Sequence, residues 1–135
     1  MTDARTPPNV SSLTRPFWEA ASRRELVRPV CLNCGISFFT PQVACPACLD
    51  ENWEYQPSRG TGTVYSFTIV HRAPREGFVT PYVVADVDVD EGWNLMTNVV
   101  GCRPEDVHVG QRVSVTWLDA EGAILPVFAP QGDHA

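Results

Sequence analysis

Cys31-Leu32-Asn33-Cys34-Gly35 and Cys45-Pro46-Ala47-Cys48-Leu49 decide how the first third of this chain folds. Each C-x-x-C turn holds two sulfurs on one side of the backbone, and ten residues separate the pairs. Four soft ligands brought to one point are what a tetrahedral Zn²⁺ requires, so Cys31, Cys34, Cys45 and Cys48 read as one structural zinc site. A disulfide framework fits less well, because Met1-Thr2-Asp3-Ala4-Arg5 leads into no apolar run and implies no oxidising compartment. A thioredoxin-like redox pair needs only one C-x-x-C opening a helix, whereas Pro29, Pro41 and Pro46 speak for turns. A catalytic zinc keeps an open position, which four cysteines close.

The two turns differ at one residue. Glycine after the second cysteine relieves strain where backbone N–H groups turn toward sulfur, and Gly35 takes that place in the first turn. Leu49 takes it in the second, which implies local strain without loss of a ligand. Between the pairs, Ile36-Ser37-Phe38-Phe39-Thr40 suits a short hairpin strand over the site.

Outward from the cysteines, the charge is uneven. The chain has 135 residues and a net charge of −6, yet residues 1–30 carry five Arg against three acids, while residues 49–135 carry five Arg against thirteen, a balance of −8. Affinity for phosphate backbones comes from a basic face, so the acidic C-terminal part argues against nucleic acid as a partner. All ten basic residues are Arg. Without lysine the chain forms no Schiff base, and no P-loop is present. No apolar stretch approaches a membrane span, so the expectation is a soluble, cytoplasmic protein without membrane contact.

Residues 1–13 read as a flexible N-terminus and 131–135 as a flexible tail. A helical segment is expected over 14–28, with Thr14 as N-cap and Pro16 in the first turn. Its Phe17 and Trp18 either pack on the zinc module or dock on a partner. The zinc ribbon occupies 29–56, and from Pro57 to Gly62 the chain passes to a second unit over 57–130. Five strands are expected there: Gly62 to His71, Tyr82 to Val89, Trp93 to Val100, Arg112 to Leu118 and Ala123 to Phe128. Val83, Ala85, Val87 and Val89 alternate with Val84, Asp86, Asp88 and Asp90, the period of a half-buried strand. Asp90-Glu91-Gly92 then makes a hairpin turn. Five short strands suggest a closed OB-fold barrel, so the fold class is mainly β, with one N-terminal helix and a rubredoxin-like ribbon.

Candidate chemistry beyond the cysteines is sparse. The loop from His71 to Pro81 offers Arg72 and Arg75 for a phosphate or a partner carboxylate and Phe78 as an apolar anchor. His71, His108 and His134 have no G-x-S-x-G or comparable nucleophile signature beside them. Cys102, at the end of an apolar strand, reads as an inert packed thiol. Asp86, Asp88, Asp90 and Glu91 read as a solvated acidic face rather than a calcium or magnesium site. The residues thus argue against catalysis by the chain alone.

The order Phe17-Trp18-Glu19, Cys31-x-x-Cys34-Gly35, Cys45-Pro46-x-Cys48, the strand from Gly62, Pro81-Tyr82-Val83-Val84-Ala85, Asp90-Glu91-Gly92 and Val100-Gly101-Cys102 resembles the acyl-CoA-associated zinc-ribbon/OB-fold proteins, catalogued as a domain of unknown function. The resemblance spans residues 14–128. It implies a non-catalytic accessory subunit carrying structural Zn²⁺. The implied partner is a thiolase-like enzyme or a CoA-ester aldolase, with an acyl-CoA hydratase nearby and a CoA thioester at the complex, as in steroid side-chain degradation. The alternative is an OB-fold binder of single-stranded nucleic acid or oligosaccharide, with Tyr65, Phe67 and Trp93 as stacking rings.

Overall fold

The computed structural model describes residues 2, 3, 5 and 7–131. In chain order they form β1 (Thr2–Asp3), α1 (Arg15–Ser22), β2 (Val27–Cys31), β3 (Trp53–Pro57), β4 (Thr61–Val70), β5 (Tyr82–Val89), β6 (Trp93–Val99), a 3₁₀ turn at Pro104–Asp106, β7 (Arg112–Ala120) and β8 (Ala123–Pro130). Among them no helix is long and apolar enough to cross a membrane. The tail expected over 131–135 lies, past residue 131, outside the described residues.

Helix α1 is shorter than the segment expected over 14–28. Thr14 sits at its N-cap, but its hydroxyl bonds Ser11 rather than the helix's own amides. The helix ends when the Arg24 N–H donates to the Ala21 carbonyl at 2.8 Å and the Glu25 N–H to the Ala20 carbonyl at 2.9 Å. This is a Schellman turn, and it puts Arg24 at φ 60, a left-handed position that normally belongs to glycine. With arginine there, the sequence carries no visible stop signal. The chain emerges as β2, which pairs antiparallel with β3 from Val27–Pro57 to Cys31–Trp53.

The strand expected over 36–40 reduces to a single bridge between Val30 and Ser37. Its consecutive phenylalanines serve different cores. Phe38 is buried with Cys31 and Cys45 and meets Trp53 edge-on at 5.5 Å. Phe39 turns the other way, with ring centroids 5.3 Å from Phe17 of the helix and 5.3 Å from Trp93 of the barrel.

Strands β4 to β8 close the barrel. β5 pairs with β4 and β6, β7 with β4 and β8, and a single parallel pair, Val99 with Phe128, joins β6 to β8. The alternation in β5 holds: Val83, Ala85, Val87 and Val89 are buried, and Asp88 is exposed. Phe128 is the largest fully buried side chain, and Val107, just after the 3₁₀ turn, joins the same core. Where β4 crosses β5 the backbones come so close that a Cβ at Gly62 would lie 2.4 Å from the Asp88 carbonyl oxygen. β1 adds to the barrel edge parallel to β7.

Candidate metal centre and its flanking surfaces

Cys31 ends a paired strand, so β2 delivers the first sulfur from a fixed position. The turn that follows aims the N–H groups of Asn33 and Cys34 at Cys31 Sγ, both at 3.4 Å. The second turn repeats this with the Ala47 N–H 3.4 Å from Cys45 Sγ. Each turn closes through one backbone bond, from Gly35 N–H to the Cys31 carbonyl at 3.0 Å and from Leu49 N–H to the Cys45 carbonyl at 2.8 Å. Both closing residues are left-handed, Gly35 at φ 83 and Leu49 at φ 67. Glycine reaches that region freely and leucine does not.

All four sulfurs lie within 4.8 Å of one another, with Cys31 and Cys48 at 3.6 Å and Cys34 and Cys45 at 3.7 Å. A tetrahedron with metal–sulfur bonds of about 2.3 Å has edges of about 3.8 Å, so the cluster fits a zinc-sized ion with no position left for substrate. Asn33 Nδ2, 3.5 Å from Cys48 Sγ, acts with the backbone N–H of Asp50 to bring the Cys48 thiol down to about 6. At Cys34 the Ile36 backbone N–H also pulls downward, but desolvation and the three neighbouring sulfurs prevail and push it up to about 12. Metal ligation requires each sulfur as thiolate, so a divalent ion would displace whatever protons the thiols hold. Phe38 and Trp53 pack behind the sulfurs, and Trp53 Nε1 donates to the Val43 carbonyl at 3.1 Å.

The other predicted site residues are not gathered in one place. Phe17 is 4% exposed and belongs to the main core. Trp18, 5.0 Å away and edge-on to it, is half-buried and lines a cleft of about 340 Å³ with Phe39, Leu95, Met96 and Pro126. Arg72 and Arg75 stand exposed in the loop between β4 and β5. Phe78 stacks on Tyr82 with centroids 5.3 Å apart, and the Arg5 guanidinium lies 4.8 Å above it. Of the rings expected to stack bases or sugars, Tyr65 is 63% exposed, but Trp93 is 4% exposed in the core and Phe67 packs against that core. The bulge between Val64 and Ser66 breaks the alternation that would have set Tyr65 and Phe67 on one face.

Two features escaped the sequence. Glu91 reaches from the β5–β6 turn to the linker, where it accepts hydrogen bonds from the Ser58 hydroxyl and the Arg59 N–H. Burial works against ionisation there, but these bonds and the Trp93 indole N–H hold its carboxyl below the usual range. Asp90 beside it pairs with Arg112 at 2.7 Å. These acids are committed to ties within the fold, and the cysteines are the one metal-capable cluster among the described residues. Outside the sulfur cluster no primed nucleophile is found among the described residues: burial and then the Asp106 charge push the Cys102 thiol up, and His71 and His108 are exposed.

Against known proteins, the rubredoxin-like zinc ribbon domain of ChsH2 matches residues 18–54 and the C-terminal OB-fold domain of ChsH2 matches residues 55–118. The chain is 35% identical to a DUF35 domain-containing scaffold protein of Methanocaldococcus jannaschii, over 78% of this chain and 76% of that protein. It is 41% identical to a probable enoyl-CoA hydratase alpha subunit of Thermomonospora curvata over 84% of this chain, but spans only 36% of that subunit's length. In the solved structure of an Ltp2-ChsH2(DUF35) aldolase, one chain superposes with a TM-score of 0.84 at 38% identity, over 91% of this chain and 98% of that one.

Proposed function

This chain belongs to the DUF35 family of zinc-ribbon/OB-fold proteins, and from that premise we propose that it is a non-catalytic accessory subunit of a thiolase-superfamily enzyme. The enzyme class is a thiolase or a CoA-ester aldolase, with steroid side-chain degradation as the setting and the cytoplasm as the compartment. The observation that carries this reading is the match along the whole length of a chain in the Ltp2-ChsH2(DUF35) aldolase. The site chemistry supports it. Zn²⁺ held by Cys31, Cys34, Cys45 and Cys48 would be structural, since four thiolates fill its coordination sphere. With no lysine in the chain and no primed nucleophile outside the sulfur cluster among the described residues, the chain's contribution is to hold surfaces, support the acyl-CoA ester and complete the partner's site.

The alternative, a binder of single strands or sugars, needs adjacent exposed rings and gains none from the burial of Trp93. Co-expression with a thiolase-type enzyme tests the proposal. A stable complex that turns over an acyl-CoA ester, together with an inactive isolated chain, is the expected result. Failure to form any complex with a thiolase-fold protein, or turnover by the isolated chain, overturns it.

A further inference from the structure

Arg24 keeps a long cationic side chain at a backbone position that glycine would occupy more cheaply. It lines a cleft of about 460 Å³ whose other walls include Leu26, Arg59, Val115 and Trp117. The two arginine-bearing segments are fixed to each other and to the barrel. Ser58 N–H donates to the Leu26 carbonyl at 2.8 Å, Val115 N–H donates to the Gly60 carbonyl at 2.7 Å, and Glu91 holds the Arg59 backbone. Neither the Arg24 nor the Arg59 guanidinium has a hydrogen-bond or ion-pair partner among the described residues. Glu25, which also lines the cleft, is paired with Arg23 at 3.2 Å. Arg28 donates to the carbonyl of Pro57, which also lines the cleft. A cationic pocket with a half-buried indole in its wall thus stands out on a chain of net charge −6.

We propose that this cleft binds the phosphorylated adenosine end of a CoA thioester, with the purine against Trp117 and phosphate oxygens between Arg24 and Arg59. Planar guanidinium groups suit phosphate, and an indole face suits a purine. The apolar wall of Leu26 and Val115 excludes water beneath the ring. The inference deepens the accessory-subunit reading and rests on it for the identity of the nucleotide, while the site itself can be probed without any partner.

The probe is adenosine 3′,5′-bisphosphate, titrated into the zinc-loaded chain and followed by the NMR signals of the Trp117 indole N–H and the Arg24 and Arg59 amides. Those signals shift together and saturate, and Arg24→Gly and Arg59→Gln each weaken binding about fivefold or more. Arg24→Gly separates binding from folding, because it relieves the left-handed residue and leaves Tm unchanged or raised while the affinity falls. No saturable shift at millimolar bisphosphate, equal affinity for inorganic phosphate, or wild-type binding by both variants overturns the proposal. Loss of the thiolase complex with bisphosphate binding intact would count against the accessory-subunit reading alone. An intact complex without bisphosphate binding would count against this site alone.

Discussion

At the scale of single residues, Leu49 and Arg24 pose the same question and receive different answers. Both are left-handed, at φ 67 and φ 60, where a Cβ costs about 1–2 kcal/mol. Arg24 lines a charged cleft, whereas the Leu49 side chain is 75% exposed and its backbone N–H alone closes the second cysteine turn. Leu49→Gly is therefore expected to raise the stability of the zinc-loaded protein by about 0.5–1 kcal/mol, the relief being partly offset by glycine's extra freedom when unfolded. Urea denaturation checks this, and a variant less stable than the parent would mean that the leucine side chain holds the turn. The cysteine spacing and the Gly35/Leu49 difference were legible in the sequence because both depend on neighbours within a few residues. Glu91 was not, because its partners Ser58 and Arg59 are brought to it only by the fold.

Among elements, the Phe38–Phe39 pair decides how the ribbon meets the rest. The backbone bends at Phe39, and one ring enters the sulfur cluster while the next enters the seam between helix and barrel. Phe39→Ala should cost about 2–4 kcal/mol, somewhat below a fully buried Phe→Ala because Phe39 is only half-buried. Equilibrium denaturation measures the loss. An unaltered midpoint would show that helix and barrel hold without the ring. The five barrel strands were readable from alternation and turn residues. The end of α1 was not, because a Schellman turn built on arginine carries none of the glycine that marks such turns in a sequence. Tyr65 and Phe67 misled for a related reason: a bulge at Val64/Ser66 resets the face each of them takes, and no local signal marks it.

At the scale of the whole molecule, the described residues form two cores of unequal kind. The barrel core is broad and apolar, from Val64 through Phe128, whereas the ribbon core is Cys31, Phe38 and Cys45 with Cys48 and Trp53 beside them. So small a core does not hold itself closed without metal, whose binding contributes on the order of 10 kcal/mol in such modules. Chelation should thus red-shift the fluorescence of Trp53 and lower Tm, while far-ultraviolet circular dichroism keeps most of its β signal. Loss of the whole β signal on chelation would mean that the barrel depends on the ribbon to fold. Because Phe39 joins the two cores through Phe17 and Trp93, they share free energy, and linkage between them is reciprocal. Whatever stabilises the barrel tightens the hold of the cysteines on the ion by the same coupling, so the affinity for metal becomes a gauge, readable from outside, of whether the barrel is engaged.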